Sequence, residues 1–296
     1  MGGNIFKDFA CPIKRENIRP TLSAYIKHLG IVFPKKAEVF KNFEPVGSVG
    51  KKDVSGDLDL AIDFSHFFIG EDFNEQEMKD YSIEFDEWTS LYKKIKNKAR
   101  TATDNMCKWK AFLKLIAYPI VREGMVHVAN KKTTNGNLFT MFPQYDKYGQ
   151  TSKCVQIDWM VGNLSWLRFA YHSAETGNLK GLHRTQLLVA MFSVKGYTFL
   201  HNKCVKEKGT NSYIVTTPEQ AQELISNLYG QIKEQDIYEY KNLHSYLKSN
   251  ATSEDYSKII ECYKRILTIS KAKIPDDLQD EIDENTRLTW TTTLGS

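Results

Sequence analysis

The segment Asp57-Leu58-Asp59-Leu60-Ala61-Ile62-Asp63-Phe64 alternates strictly in character. With the period of two of a β-strand, Asp57, Asp59, Ala61 and Asp63 share one face, and Leu58, Leu60, Ile62 and Phe64 take the other. Neighbouring carboxylates that point the same way repel each other unless a cation sits between them, and Mg²⁺ with its preference for oxygen ligands is the usual occupant. Asp63 lies about 13 Å from Asp59 at roughly 3.3 Å per residue, too far to share a pair of ions about 3.5–4 Å apart. Taken alone, Asp-Leu-Asp is also compatible with an exposed strand face of solvated aspartates.

The residues upstream bear on that choice. Phe43-Glu44-Pro45-Val46 runs into Gly47-Ser48, and a polar loop of eight residues follows before Asp57. A strand, a Gly-Ser turn and a second strand with paired aspartates bring backbone N–H groups and a hydroxyl beside two carboxylates, an arrangement able to hold a triphosphate. The stretch Gly47 to Lys52 is not a phosphate-binding P-loop, because the GxxxxGK[ST] spacing is missing. A third carboxylate comes from Val155-Gln156-Ile157-Asp158-Trp159-Met160-Val161, where Ile157, Trp159 and Val161 point one way and Asp158 is a lone acid on the other face. An acid in so apolar a strand must be paired with a base or coordinated to a cation.

Those strands need a scaffold. Asn17 to Leu29 and Asp104 to Ile120 have helical spacing, the second with Trp109, Phe112, Leu113 and Ile116 inward and Lys108, Lys110 and Lys114 outward. Met125 to Ala129, Leu138 to Phe142 and Cys154 to Val161 read as strands separated by turns, so the expected fold class is α+β: a mixed sheet with flanking helices, then a mainly helical part. A hairpin is expected from Tyr197 to Val215, and helices from Trp166 to Ser173, Leu182 to Val194, Pro218 to Tyr229 and Ser253 to Ile269. The division falls near Gly162 to Ser165, giving an N-terminal catalytic domain over 1–164 and a C-terminal domain over 165–296.

The chain resembles the DNA polymerase β-type nucleotidyltransferase superfamily, and within it the family X polymerases. The resemblance rests on Gly47-Ser48, on Ser55-Gly56-Asp57-Leu58-Asp59 and on Asp158, covering about Val46 to Phe64 and Val155 to Val161. A weaker similarity to the thumb of that family runs through Tyr171, Thr176-Gly177, Arg184, Lys195-Gly196-Tyr197-Thr198 and Thr217-Pro218-Glu219. It implies a palm-like domain followed by a thumb-like one, and two-metal phosphoryl transfer from a nucleoside triphosphate. Asp57 and Asp59 would hold both Mg²⁺ ions, with Mn²⁺ as an alternative, and Asp158 one of them. Ser48, with backbone from Gly47 and Gly56, would contact the β- and γ-phosphates, with Lys51 a further contact and Tyr171 and Gly177 against the nucleotide. The loop after Gly47-Ser48 is one residue shorter than in the family, His172 follows Tyr171 where a second aromatic is usual, and no tandem helix-hairpin-helix precedes the palm. The expected activity is addition of nucleotides to a nucleic-acid 3′-OH; the alternative is a small-molecule or protein acceptor, or a cyclic nucleotide product.

Composition sets the outer limits. The 296 residues are 41% hydrophobic and 26% charged, which excludes a disordered or fibrous chain. Five cysteines form no CxxC pair, and no apolar run is long enough for a membrane span or a signal peptide, so a soluble protein of a reducing cytoplasm is expected, a nuclear or viral setting remaining open. The net charge of +4 conceals a tract from Lys93 to Lys132 with net charge +9 and an acidic segment from Ile274 to Thr293. The tract is a candidate for tracking a nucleic-acid backbone and equally a solvated helix face.

Overall fold

The computed structural model describes residues 5–6, 9–68, 73–99, 103–122, 124, 126–134, 136–174, 181–210, 212–275 and 278. The chain runs β1 (Ile13–Lys14), α1 (Arg15–Val32), α2 (Ala37–Phe40), β2 (Glu44–Pro45), β3 (Val54–Ser55), β4 (Leu58–Asp63), α3 (Glu75–Asp80), α4 (Phe85–Lys98), α5 (Asp104–Arg122), β5 (His127–Val128), β6 (Asn137–Asp146) and β7 (Gly149–Gly162). Then come α6 (Leu164–Ala170), α7 (Gly181–Val194), β8 (Tyr197–Leu200), β9 (Cys204–Glu207), β10 (Tyr213–Val215), α8 (Pro218–Tyr229), α9 (Glu234–Tyr238), α10 (Tyr240–Asn250) and α11 (Ser253–Ile269). The fold is α+β, with a mixed five-stranded sheet in the order β2-β4-β7-β6-β5 and flanking helices. Only β4 and β7 pair in parallel within it.

Alternation along β4 and β7 decides what each face of that sheet carries. Leu58, Leu60, Ile62, Ile157, Trp159 and Val161 all enter one large buried cluster, joined by Phe67, Trp88, Trp109, Phe112 and Ile116 from the helices and turns over that face. Many of the aromatic rings there meet edge to face, as for Phe67 and Phe112 at 5.6 Å and 76°. Its polar atoms are satisfied in series: Trp159 Nε1 donates to Tyr25 Oη at 2.8 Å, Tyr25 Oη meets Thr140 Oγ1 at 2.9 Å, and Thr140 Oγ1 donates to the Ile157 carbonyl at 2.9 Å. The chain of bonds ties α1 to the strands beneath the acidic face, each bond contributing about 1 kcal/mol net.

Three elements differ from their sequence-based expectation. Leu138–Phe142 and Cys154–Val161 are the apolar cores of one long β6–β7 ribbon, which continues to Asp146 and Gly149 through polar residues that read as loop. Asp146 Oδ1 closes its tip by accepting from the backbone N–H groups of Tyr148 at 2.7 Å and Gly149 at 3.1 Å. The expected Tyr197–Val215 hairpin is a three-stranded antiparallel sheet in the order β10-β9-β8. Helices α9 and α10 were not expected, since their buried Ile237, Tyr240, Leu243, Tyr246 and Leu247 are diluted by charged neighbours.

A second buried cluster begins at Trp166 and takes in α7, β8 to β10 and α8 to α11. The β8–β9 turn is pressed onto the end of β7: a Cβ at Gly162 would lie 2.1 Å from the Asn202 carbonyl oxygen, and one at Gly136 2.3 Å from Asn202 Nδ2. Only glycine permits that approach. All five cysteines are free. Among the described residues no helix is long and apolar enough to cross a membrane.

Candidate metal centre

The parallel register of β4 and β7 sets Asp59 directly beside Asp158. Asp57 precedes β4 by one residue and shares their face. Ligand oxygens of the three carboxylates lie within 4.8 Å of one another, and among the described residues no other group of three His, Cys, Asp or Glu side chains could hold a metal. Asp57 and Asp158 are buried, at 7% and 1% exposure. The solvated-strand alternative therefore fails, and among the described residues no lysine or arginine is bonded to Asp158, whose partner is the Gln156 amide.

Burial first, and then the Asp57 charge, push the Asp59 carboxyl up to about 7. Burial, followed by the charges of Asp59 and Asp57, also raises Asp158 well above the usual carboxylate range. Unrelieved charge of one sign in low-dielectric surroundings has this effect, and a divalent cation relieves it. The donor set is all oxygen, which suits Mg²⁺, Mn²⁺ or Ca²⁺.

The Gly-Ser turn lies over the carboxylates. Val46 N–H donates to the Asp59 carbonyl at 3.0 Å, extending the β2–β4 pairing into the turn. Gly47 follows at φ +69°, and a Cβ there would approach Asp59 Oδ2 to 3.0 Å and the Tyr171 carbonyl oxygen to 3.8 Å. A residue without a side chain is needed both for the backbone angle and for the space. Ser48 continues the turn, its carbonyl accepting from Lys51 N–H at 3.2 Å.

Other expected contacts are placed differently. Lys51 Nζ donates to the Ser173 carbonyl at 2.5 Å, tying the Gly-Ser turn to the segment after α6. Gly56 is exposed and an added Cβ there would meet nothing, so no steric demand explains that glycine. Tyr171 follows α6, its hydroxyl bonded to Asn137, and burial together with the Asp59 and Asp158 charges raises its pKa. Gly177, with Thr176, lies outside the described residues. Asp63 is accounted for structurally: Oδ1 accepts from the Ser65 N–H at 3.0 Å and hydroxyl at 2.8 Å, and Oδ2 from the Leu164 N–H at 2.9 Å.

The basic tract is on the other side. Helices α4 and α5 pack through Trp88, Trp109 and Phe112 on the apolar face of the sheet, opposite the carboxylates. Lys108, Lys110 and Lys114, expected outward, are half-buried. Lys108 pairs with Asp104 at 3.3 Å, and Lys114 Nζ donates to the Asn130 carbonyl at 2.9 Å, so two of the three have structural partners. Among the described residues, the exposed cations of the tract are Lys93, Lys94, Lys96, Lys98, Lys131 and Lys132.

Gln156 went unrecognised in the sequence although its signal was there. It stands two residues before Asp158, hence on the same face, and its Nε2 donates to Asp158 Oδ1 at 2.8 Å and Oδ2 at 3.0 Å. Asn137 had no such signal, because its place opposite Met160 depends on the β6–β7 register. No protein-family model matches the chain, and no curated protein matches it either.

Proposed function

We propose that the chain is a Mg²⁺-dependent nucleotidyltransferase of the polymerase β type, which adds nucleotides from a nucleoside triphosphate to a nucleic-acid 3′-OH. One observation carries the reading: three converging carboxylates, two of them side by side on adjacent parallel strands, lie beneath a Gly-Ser turn. Asp57, Asp59 and Asp158 would hold the metal, which when bound lowers the pKa of the acceptor hydroxyl and offsets charge on the triphosphate.

The chain's own groups do the rest. The Gly47-Ser48 turn offers backbone N–H groups and a hydroxyl to phosphate oxygens. The acceptor oxygen forms a bond to the α-phosphorus, its proton passes to solvent water, the bond from that phosphorus to the bridging oxygen breaks and pyrophosphate leaves. Tyr171, half-buried near the Gly47 turn, would restrict water at the carboxylates and contact the nucleotide.

A second reading keeps the same chemistry with a small-molecule, protein or cyclic acceptor. It is favoured by the position of the basic tract behind the sheet, which leaves the acidic face without the tract as an adjacent nucleic-acid track. Incubation with labelled nucleoside triphosphates and primer–template DNA, single-stranded DNA or RNA, or no acceptor separates the two. Extension products support the first reading; products formed only without nucleic acid support the second. No Mg²⁺-dependent product under any condition rejects both.

A further inference from the structure

Described residues ahead of β1 reach β7 at two places. Strand β6 occupies one edge of β7, and β4 pairs with the other edge only from Ile157 onward. Before that point the N-terminal strap takes the vacant place. Ala10 bridges Cys154 in parallel, Cys11 N–H donates to the Cys154 carbonyl at 2.8 Å, and Gln144 Nε2 donates to the carbonyls of Cys11 at 3.1 Å and Cys154 at 3.2 Å. Further up the strap, the Ile5 N–H donates to Gln156 Oε1 at 3.1 Å.

That last bond decides which way the Gln156 amide faces. A backbone N–H can only donate, so Oε1 must face the strap and Nε2 must face Asp158, where both carboxylate oxygens accept from it. Reversed, the amide would set its oxygen against two carboxylate oxygens and leave the Ile5 N–H without its acceptor. Gln156 and Asp158 are each 1% exposed, so water is a poor substitute for either bond. The donor is also neutral: a lysine or arginine in its place would orient Asp158 but compensate its charge and compete with a cation.

Resting on the metal-centre reading, we propose that Gln156 is a positioning residue for Asp158, and that the N-terminal strap, through the Ile5 backbone N–H, holds its amide in the productive orientation. The Ile5 backbone then supports the catalytic apparatus, although no described residue of the N-terminal segment is among the three candidate ligands.

The test uses the full chain with any affinity tag at the C-terminus, and Mn²⁺ as the probe, its binding followed by electron paramagnetic resonance. Gln156→Met keeps the length of the side chain and removes the amide; it should weaken Mn²⁺ binding about tenfold or more, in the range found for partners of metal ligands. Ile5→Pro removes one N–H and leaves Gln156 in place; it should weaken binding in the same direction by a smaller factor. Tyr148→Ala, at the exposed tip of the β6–β7 ribbon and outside the strap, should bind Mn²⁺ as the wild type does. In turnover assays both Gln156→Met and Ile5→Pro should lower kcat with little change in KM for the nucleotide. Far-UV circular dichroism and melting identify a variant that fails to fold, in which case the other carries the test. Wild-type Mn²⁺ affinity and kcat in folded Gln156→Met and Ile5→Pro overturn the proposal while leaving the metal centre standing. No Mn²⁺ binding by the wild type, or binding unaffected by Asp158→Asn, overturns the metal centre itself and the proposal with it.

Discussion

The two faces of the five-stranded sheet are made by the same residues taken alternately, yet they carry opposite energetic signs. On one, Trp159 and its neighbours are sealed under helices, with every polar bond of the Trp159–Tyr25–Thr140 chain made. On the other, three carboxylates converge, burial and mutual repulsion raising Asp59 and Asp158. The apolar face stabilises the strands that hold the acidic face in a geometry it would not adopt by itself. A protein keeps such strain where a ligand relieves it.

The sharpest way to break this comparison is to change one face at a time. Asp59→Asn and Asp158→Asn should each lower Mg²⁺-dependent turnover by more than about a thousandfold, on the order of 4 kcal/mol of barrier, and raise the melting temperature of the metal-free protein. Retained activity in either variant refutes the assignment. Trp159→Ala, one residue along the strand on the other face, should cost about 3–5 kcal/mol of stability by urea denaturation. A cost no larger than that of a surface substitution would mean that the face is not the main support of the sheet.

Gly47→Ala tests the contact between turn and carboxylate. The positive φ alone costs an L-residue roughly 1–2 kcal/mol, and the added Cβ pushes on Asp59 Oδ2, so both melting temperature and turnover should fall. Activity equal to wild type would place the turn outside the site.

Smaller effects come from His172, which follows Tyr171 in the chain, and His201, whose ring lies 6.0 Å from that of Tyr171. Burial holds His201 down to about 4, and burial with the Arg184 and Lys51 charges does the same to His172. In the unfolded chain both take up a proton near about 6.5. Between those values the unfolded state binds more protons, so stability present above about pH 6.5 is lost as the pH falls towards about 4. Asp59 and Asp158, whose folded carboxyls are raised, contribute in the opposite sense over the same window, so the variant is compared with the wild type: His201→Asn should make denaturation midpoints at acid pH relatively higher than those of the wild type, and an identical pH dependence in the variant removes His201 as a contributor. The smallest effect on the fold belongs to the basic tract. Reversing exposed Lys93, Lys94 and Lys98 should leave melting and kcat unchanged and flatten the dependence of log nucleic-acid binding on log salt, by roughly 0.9 per lost phosphate contact. An unchanged slope removes the tract as a nucleic-acid footprint.

Much of the site was legible because period-two alternation is a local property. Asp57, Asp59 and Asp158 could be assigned to strand faces, and Asp63 set apart, from residue spacing alone. Gln156 was equally accessible by the same rule and was hidden only by the attention its acidic neighbour draws. Lys51 and Lys114 could not be placed, because a long flexible side chain takes whichever carbonyl lies in reach, here those of Ser173 and Asn130. The β6–β7 ribbon was underestimated because its tip is held by the hydrogen bonds of Asp146 and carries little apolar content.

By itself the sequence determined the α+β class, the strand alternation, the chemistry of the acids and a glycine where the turn needs one, since each depends on residues near one another in the chain. Only the tertiary structure decided that Asp59 and Asp158, 99 positions apart, stand side by side, that the basic helices lie behind the sheet and that the Ile5 backbone reaches Gln156. Those are matters of strand register and of which edge remains open, and both are set by packing the whole domain.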